Sequence, residues 1–310
     1  MINRGLVEYI ASKSKVQNAS LVEKDFVLHS LLCKLAKDPH FHKGYAFKGG
    51  TCLVKCYLGY YRFSEDLDFT YASQGDFEGR SEKQVRKMLS AEISRVLGII
   101  SSIAKEEHLD FKEQKDNRDY VELGGSNRFL TAKLWYESSI TNLRQFIKVQ
   151  INFVEKLCYP LQKRNALPMA SARDAKEAKF LFGESAAALS EIPSVMAYDM
   201  QEILLEKIRA ILTRKGVKPR DFVDVFLIQH ELKKDAFAFE KEILLKARFM
   251  LRFEKYRENL NEKAKLSVWV KPGEEAYLLL KPLKGFDGFL SEFQPELNRM
   301  RERLLKEGKS

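Results

Sequence analysis

Two aspartates one residue apart, Asp66 and Asp68, flank Leu67 at the start of an apolar run that continues to Tyr71. Strand side chains alternate between faces, so a strand here turns both carboxylates one way and Leu67 and Phe69 the other. Like charges on one strand face repel. A bound divalent cation relieves that repulsion, because hard ions such as Mg²⁺ take carboxylate oxygens; two solvated aspartates on an edge strand are the alternative. Upstream, Tyr45-Ala46-Phe47 runs into Lys48-Gly49-Gly50-Thr51, and Arg62-Phe63-Ser64-Glu65 follows twelve residues after Gly50. The glycine pair lets a ligand approach the backbone closely, and the helix expected from Thr51 to about Leu58 opens with free N–H groups. That arrangement suits a triphosphate, although a tight strand-to-helix connection alone also explains it. Arg62 and Ser64 lie where phosphate contacts and surface roles are both open.

The chain has 310 residues, which predicts two domains, and 45 % hydrophobic residues, enough for a real core. A net charge of +10, spread along the chain, fits a polyanionic partner. No run of about 20 uncharged apolar residues is present, so no membrane span is expected. The N-terminus lacks a signal peptide's apolar core, and a cytoplasmic location follows as the expectation. Cys33, Cys52, Cys56 and Cys158 fit small core residues in a reducing compartment better than a metal set.

Helical spacing of Val22, Phe26, Val27, Leu31, Leu32 and Leu35 predicts a helix to about Lys37, opened by a capping box at Ser20–Glu23. The glycine-linked strand and helix and the carboxylate strand follow in β-α-β order. A helix is expected from Ser81 to about Ile103, a hairpin or loop within 105–127, and two adjacent strands at 129–136 and 145–154. The pattern loosens between Pro160 and Ala197, where the domain boundary is placed, giving domains of 1–165 and 166–310. Helices are expected at 199–214, 220–231, 235–250 and 288–307, with a short hairpin near Lys271-Pro272-Gly273.

In the first of those C-terminal helices Lys207 falls on the stripe of Ile203, Leu204, Ile208 and Ile211. An inward cation needs an anion unless it snorkels at the stripe's edge; a phosphate is one such anion. Next, Lys218-Pro219-Arg220-Asp221-Phe222-Val223-Asp224 opens a helix with proline in its first turn. Helix capping explains one of the two aspartates but does not require both.

These pieces together resemble the AbiEii/AbiGii-type nucleotidyltransferase toxins of bacterial toxin–antitoxin systems, type IV-like, which include the mycobacterial MenT toxins. The matching residues are Glu23-Lys24-Asp25, Phe47 to Lys55, Arg62 to Asp68, Glu206-Lys207-Ile208-Arg209-Ala210, and Arg220 to Asp224, in the family's order across roughly residues 20 to 230. The resemblance implies an α+β fold with a DNA-polymerase-β-like nucleotidyltransferase core and a helical C-terminal domain. It implies that Gly49, Gly50, Thr51 and Lys55 hold the nucleotide, with Arg62 and Ser64 beside it. Asp66 and Asp68 would bind Mg²⁺ (or Mn²⁺), and Lys207 and Asp221 would complete the catalytic set. The implied reaction transfers a nucleoside monophosphate from an NTP to an acceptor, tRNA in the mycobacterial relatives, as a toxin or abortive-infection factor. The implied partner is a cognate antitoxin, often a winged-helix protein.

One position departs from the pattern. Polymerase-β-like enzymes place a third carboxylate on a neighbouring strand, whereas Lys148-Val149-Gln150 puts an amide there. An amide cannot serve as a base, which keeps open an alternative: an NTP-binding regulatory module without transfer. A plain basic RNA-binding protein, the third reading, leaves the ordered motifs unexplained.

Overall fold

The computed structural model describes residues 2–266 and 268–307. Its chain divides into two compact units, Met1–Glu155 with Leu161–Tyr198, and Lys156–Pro160 with Asp199 onward. The boundary therefore differs from the expected 165/166: residues 166–198 fold with the first unit. The reason is strand pairing, described next.

The first unit runs α1 (Arg4–Lys13), α2 (Ala19–Lys37), α3 (Pro39–Gly44), β1 (Tyr45–Lys48), α4 (Gly49–Leu53), β2 (Asp66–Tyr71), α5 (Glu82–Glu106), β3 (Val121–Gly124), β4 (Phe129–Glu137), β5 (Arg144–Asn152), β6 (Gln162–Asn165), α6 (Ala172–Phe182) and β7 (Ser194–Ala197). A seven-stranded mixed sheet has the order β3-β4-β5-β2-β1-β7-β6. β1 and β2 pair antiparallel, with Lys48 opposite Asp68, so the α4 connection reverses the chain. β2 pairs parallel with β5, and β7 lies parallel to β1 through Phe47 and Ala197. Polar, mostly exposed β6 and short β7 carry little alternating pattern, which hides them in the sequence; both enter the sheet through backbone pairing.

Leu67, Ile147, Val149, Ile151, Leu130, Ala132 and Leu134 are buried and share one sheet face, against which α2 and α5 pack. α2 starts one residue before the expected capping box, because the Asn18 side chain accepts from Ser20 N–H at 3.1 Å. A capping box not expected from the sequence is present at Ser81–Gln84, before α5. Buried Glu23 accepts from Ser138 Oγ at 2.5 Å, Ser139 N–H at 2.7 Å and Ser139 Oγ at 2.6 Å, which fixes the β4–β5 turn to α2. α1, the start of α2 and α6 enclose a second small core around Leu6, Val7, Ile10, Ala175 and Ala178.

His29, buried in α2, meets the Glu191 carbonyl at 2.9 Å through Nε2. Burial, reinforced by the nearby Lys55 charge, pulls its imidazole down to about 4. The unfolded chain takes up the proton near 6.5 and the folded chain only near 4. Stability present above about pH 6.5 is therefore lost as pH falls towards 4. Between pH 7 and pH 5 the His29 contribution to that loss is about 2 kcal/mol. Urea unfolding at both pH values is expected to show His29→Gln losing less than wild type by about that amount; equal losses would refute the assignment.

The second unit carries α7 (Met200–Thr213), α8 (Pro219–Leu232), α9 (Glu240–Leu251), α10 (Glu254–Lys263) and α11 (Phe286–Glu307). The expected helix at 235–250 begins as a 3-10 turn at Ala236–Phe239, and no strand forms near Lys271-Pro272-Gly273 among the described residues. Inside this unit Lys246, 1 % exposed, donates to Glu202 Oε1 at 2.5 Å and to the Lys156 carbonyl at 2.7 Å. It also lies 2.8 Å from Glu206 Oε1. Glu202 Oε2 accepts from the N–H groups of Cys158 and Tyr159, each at 2.8 Å, which binds residues 156–160 to the helices. Lys246→Met leaves buried Glu202 without its cation and is expected to cost about 3–5 kcal/mol. A thermal-unfolding midpoint unchanged by this substitution would contradict that account. No helix among the described residues is long and apolar enough to cross a membrane.

Candidate active site

β1 is buried along its whole length and delivers the chain to Gly49, whose φ of +75° is the left-handed conformation that only glycine adopts freely. A Cβ there would lie 2.5 Å from Asp68 Oδ2, so the Asp68 carboxylate rests directly against the turn. A Cβ on Gly50 would collide with Arg62 Nη2 and stand 3.2 Å from Ser64 Oγ. The Thr51 hydroxyl donates to the Asp66 carbonyl at 2.5 Å and lies 2.8 Å from Ser64 Oγ. Gly49, Gly50, Thr51, Arg62, Ser64, Asp66 and Asp68 are thus brought together around one turn. α4 is only five residues long and continues as a π-helical turn from Val54 to Leu58.

Asp66 and Asp68 are partly exposed, while Leu67 and Phe69 between and beyond them are buried, which is the alternation expected of a half-buried strand. Across the sheet Asp66 stands opposite Lys148, and Asp68 is flanked by Lys48 on β1 and Gln150 on β5. Gln150 donates to Thr131 Oγ1 at 3.3 Å, so an amide occupies the row where a third carboxylate would help. Lys48, 7 % exposed, lies 3.2 Å from Glu155 Oε2 and 5.4 Å from the Tyr198 ring centroid. Glu155 Oε2 also accepts from Asn152 Nδ2 at 3.2 Å. Sequence reasoning missed Lys48 and Glu155; the position of Lys48 directly before the glycines was the available signal.

Two carboxylates on one partly exposed strand face, beside a glycine turn, match the oxygen donors that Mg²⁺ or Mn²⁺ prefers when substrate phosphates and water complete the shell. Among the described residues no group of three His, Cys, Asp or Glu gathers as a metal cluster. A bound cation would therefore rely on Asp66, Asp68 and its substrate.

Lys55 sits elsewhere than the resemblance implies. Its side chain has no exposed surface and pairs with Asp25 Oδ1 at 2.9 Å, and its ammonium also bonds the Tyr60 hydroxyl. Tyr60 in turn donates to Asp25 Oδ2 at 2.9 Å. Lys55 supports the helical turn from its buried side, because the i+4 position from Thr51 faces α2 rather than the opening. Arg62, 2 % exposed, likewise packs behind the turn, donating from Nη1 to the Phe63 carbonyl at 2.7 Å.

In the second unit the inward cation has its anions. Lys207 Nζ lies 3.1 Å from Asp221 Oδ1 and 2.6 Å from Asp224 Oδ2, and Arg214 pairs with Asp221 as well. Both aspartates are buried. Burial pushes the Asp221 carboxyl up, but the charges of Lys207 and Arg214 outweigh it and hold the group below its ordinary value. Asp221 and Asp224 together pair with Lys207 and hold its ammonium in place.

No curated protein matches the sequence. Two solved structures from Helicobacter pylori are similar along most of their length. JHP933 has 13 % identity, covering 93 % of this chain and 96 % of its own, at a TM-score of 0.42. A protein described as a putative nucleotidyltransferase has 15 % identity, covering 91 % and 96 %, also at 0.42. A family model described as "Nucleotidyl transferase AbiEii toxin, Type IV TA system" matches residues 30–302. That span includes the glycine turn, the paired aspartates, Lys207 and Asp221, and the mixed α+β sheet unit is consistent with a polymerase-β-like nucleotidyltransferase core. The chain belongs to the AbiEii family of nucleotidyl transferase toxins of type IV toxin–antitoxin systems.

Proposed function

We propose that the protein transfers a nucleoside monophosphate from an NTP to the 3′ end of an RNA, tRNA being the first candidate, and that this arrests growth until a cognate antitoxin intervenes. The observation that supports this best is the Asp68 carboxylate lying against the Gly49 turn, with Asp66 on the same strand face. Asp66 and Asp68 would hold Mg²⁺ or Mn²⁺, which when bound supplies charge neutralisation for the phosphates and polarises the acceptor hydroxyl. The Gly49–Gly50 backbone, with Thr51 and Ser64 beside it, would seat the phosphates. In the reaction the acceptor 3′ oxygen bonds to the α-phosphorus, the bond to the bridging oxygen breaks, and pyrophosphate leaves with the electron pair. Gln150 accepts no proton, so the acceptor proton passes to an aspartate of the pair or to solvent. Lys207, paired with Asp221 and Asp224, is the further cation that the family resemblance would add to the catalytic set. The antitoxin partner, of the winged-helix type in the family resemblance, and a cytoplasmic site of action belong to the same reading.

The test is labelling of total RNA with each radiolabelled NTP in Mg²⁺. The expected result is label in small RNA that is lost in Asp66→Ala and Asp68→Ala, together with loss of toxicity; toxicity that survives both substitutions would sink the reading. Gln150 on the Asp68 row favours one competitor, an NTP-binding regulator without transfer. NTP binding by calorimetry with no pyrophosphate release on any acceptor would establish that alternative.

A further inference from the structure

The strand face that carries Asp66 and Asp68 continues beyond them. Lys148 stands opposite Asp66, Lys133 opposite Lys148, and one step further along the same face Phe146 is paired with Trp135. That step is about 7 Å, two residues of strand rise. The helices α2 and α5 take the other face, where Ile147, Val149, Leu134 and Tyr136 are buried. Trp135 and Phe146 remain partly exposed. Their ring centroids are 4.7 Å apart at 61°, and the indole is held by Nε1 donating to the Asp119 carbonyl at 2.8 Å. The Arg144 guanidinium carbon is 4.4 Å from the Trp135 centroid, and Lys148 Nζ is 5.5 Å from that of Phe146.

A cross-strand aromatic pair stabilises a sheet by itself, but that does not explain why two rings interleaved with cations stay at the surface beside the carboxylates. Aromatic faces next to cations bind unpaired bases, and every base has a face to stack. Within a duplex the bases are already stacked and are not available. We propose that Trp135 and Phe146, with Lys148, form the subsite for the acceptor strand: a single-stranded polynucleotide end stacks on the rings and runs along β5 towards Asp66. Arg144 is matched by Asp110 and Lys133 by Glu122, so stacking carries more of the affinity than charge. The identity of the strand as the acceptor rests on the transferase reading; its binding to the rings does not.

The experiment titrates a fluorescein-labelled 12-residue oligouridine, and a duplex of equal length, into wild type, Trp135→Ala and Phe146→Ala. Each substitution is expected to weaken single-strand binding about tenfold, with the duplex bound less tightly throughout. NTP affinity by calorimetry is expected to be unchanged, and Trp135→Phe and Phe146→Tyr to stay close to wild type. In a Trp269→Phe background, where Trp135 is the only tryptophan, the oligonucleotide is expected to quench the emission. Wild-type affinity in both alanine variants, or no quenching, overturns the subsite. Ring-dependent binding without transfer on any RNA keeps the subsite and removes the transferase reading; transfer with ring-independent binding and acceptor KM does the reverse.

Discussion

Asp68→Asn is expected to abolish transfer while leaving the fold intact. The amide keeps the shape of the carboxylate but removes the charge that a hard divalent cation requires, and with it a share of transition-state stabilisation worth several kcal/mol. At about 1.4 kcal/mol per tenfold, the rate at saturating NTP should fall on the order of 10³-fold or more. Asp66→Asn should behave alike, since the two side chains share one face of β2. Because both residues are partly exposed, the unfolding midpoint should hardly move. A chelator added to wild type should reproduce the loss, and added Mg²⁺ should reverse it in wild type only. Either variant retaining a tenth of wild-type rate would show that the pair is not the metal site.

Gly49→Ala tests the turn. Alanine in the left-handed conformation costs about 1–2 kcal/mol, and the new methyl would sit 2.5 Å from Asp68 Oδ2, so the carboxylate must move. A displacement of that size at a reacting centre costs about 10²-fold in rate. Gly59 provides the control: its φ is +72°, yet nothing lies within 4 Å of an added Cβ. Gly59→Ala should lose at least as much stability, because its ψ of −173° puts it where alanine is still less tolerated, and keep its activity. Equal rates in the two variants would separate the turn from the chemistry. The comparison separates contact with Asp68 from the strain of a positive φ, which both positions carry.

Local pattern already carried much of this. The period of Val22, Val27, Leu31 and Leu35 announces α2, and alternation in β2 and β5 puts the carboxylates on one face and Gln150 beside them, as the register bears out. Order of motifs was enough to indicate the family that the comparison establishes. What periodicity cannot contain is the choice of distant partners. β1 lies between β2 and β7 because backbone groups some 150 residues apart in the chain satisfy each other, and that pairing, invisible in the polar residues of β6, moves the unit boundary to Tyr198. Lys55 belongs to the glycine motif by position, yet its buried charge is settled by Asp25 and Tyr60. Lys207 announced itself as an inward cation that needs an anion; only the folded unit says that Asp221 and Asp224 provide it. The sequence by itself determined which faces are apolar and where the carboxylates and glycines fall, since those follow from local geometry. Tertiary structure decided which charges are neutralised and which stay open to a substrate, because desolvation and pairing depend on neighbours that the chain brings together only on folding.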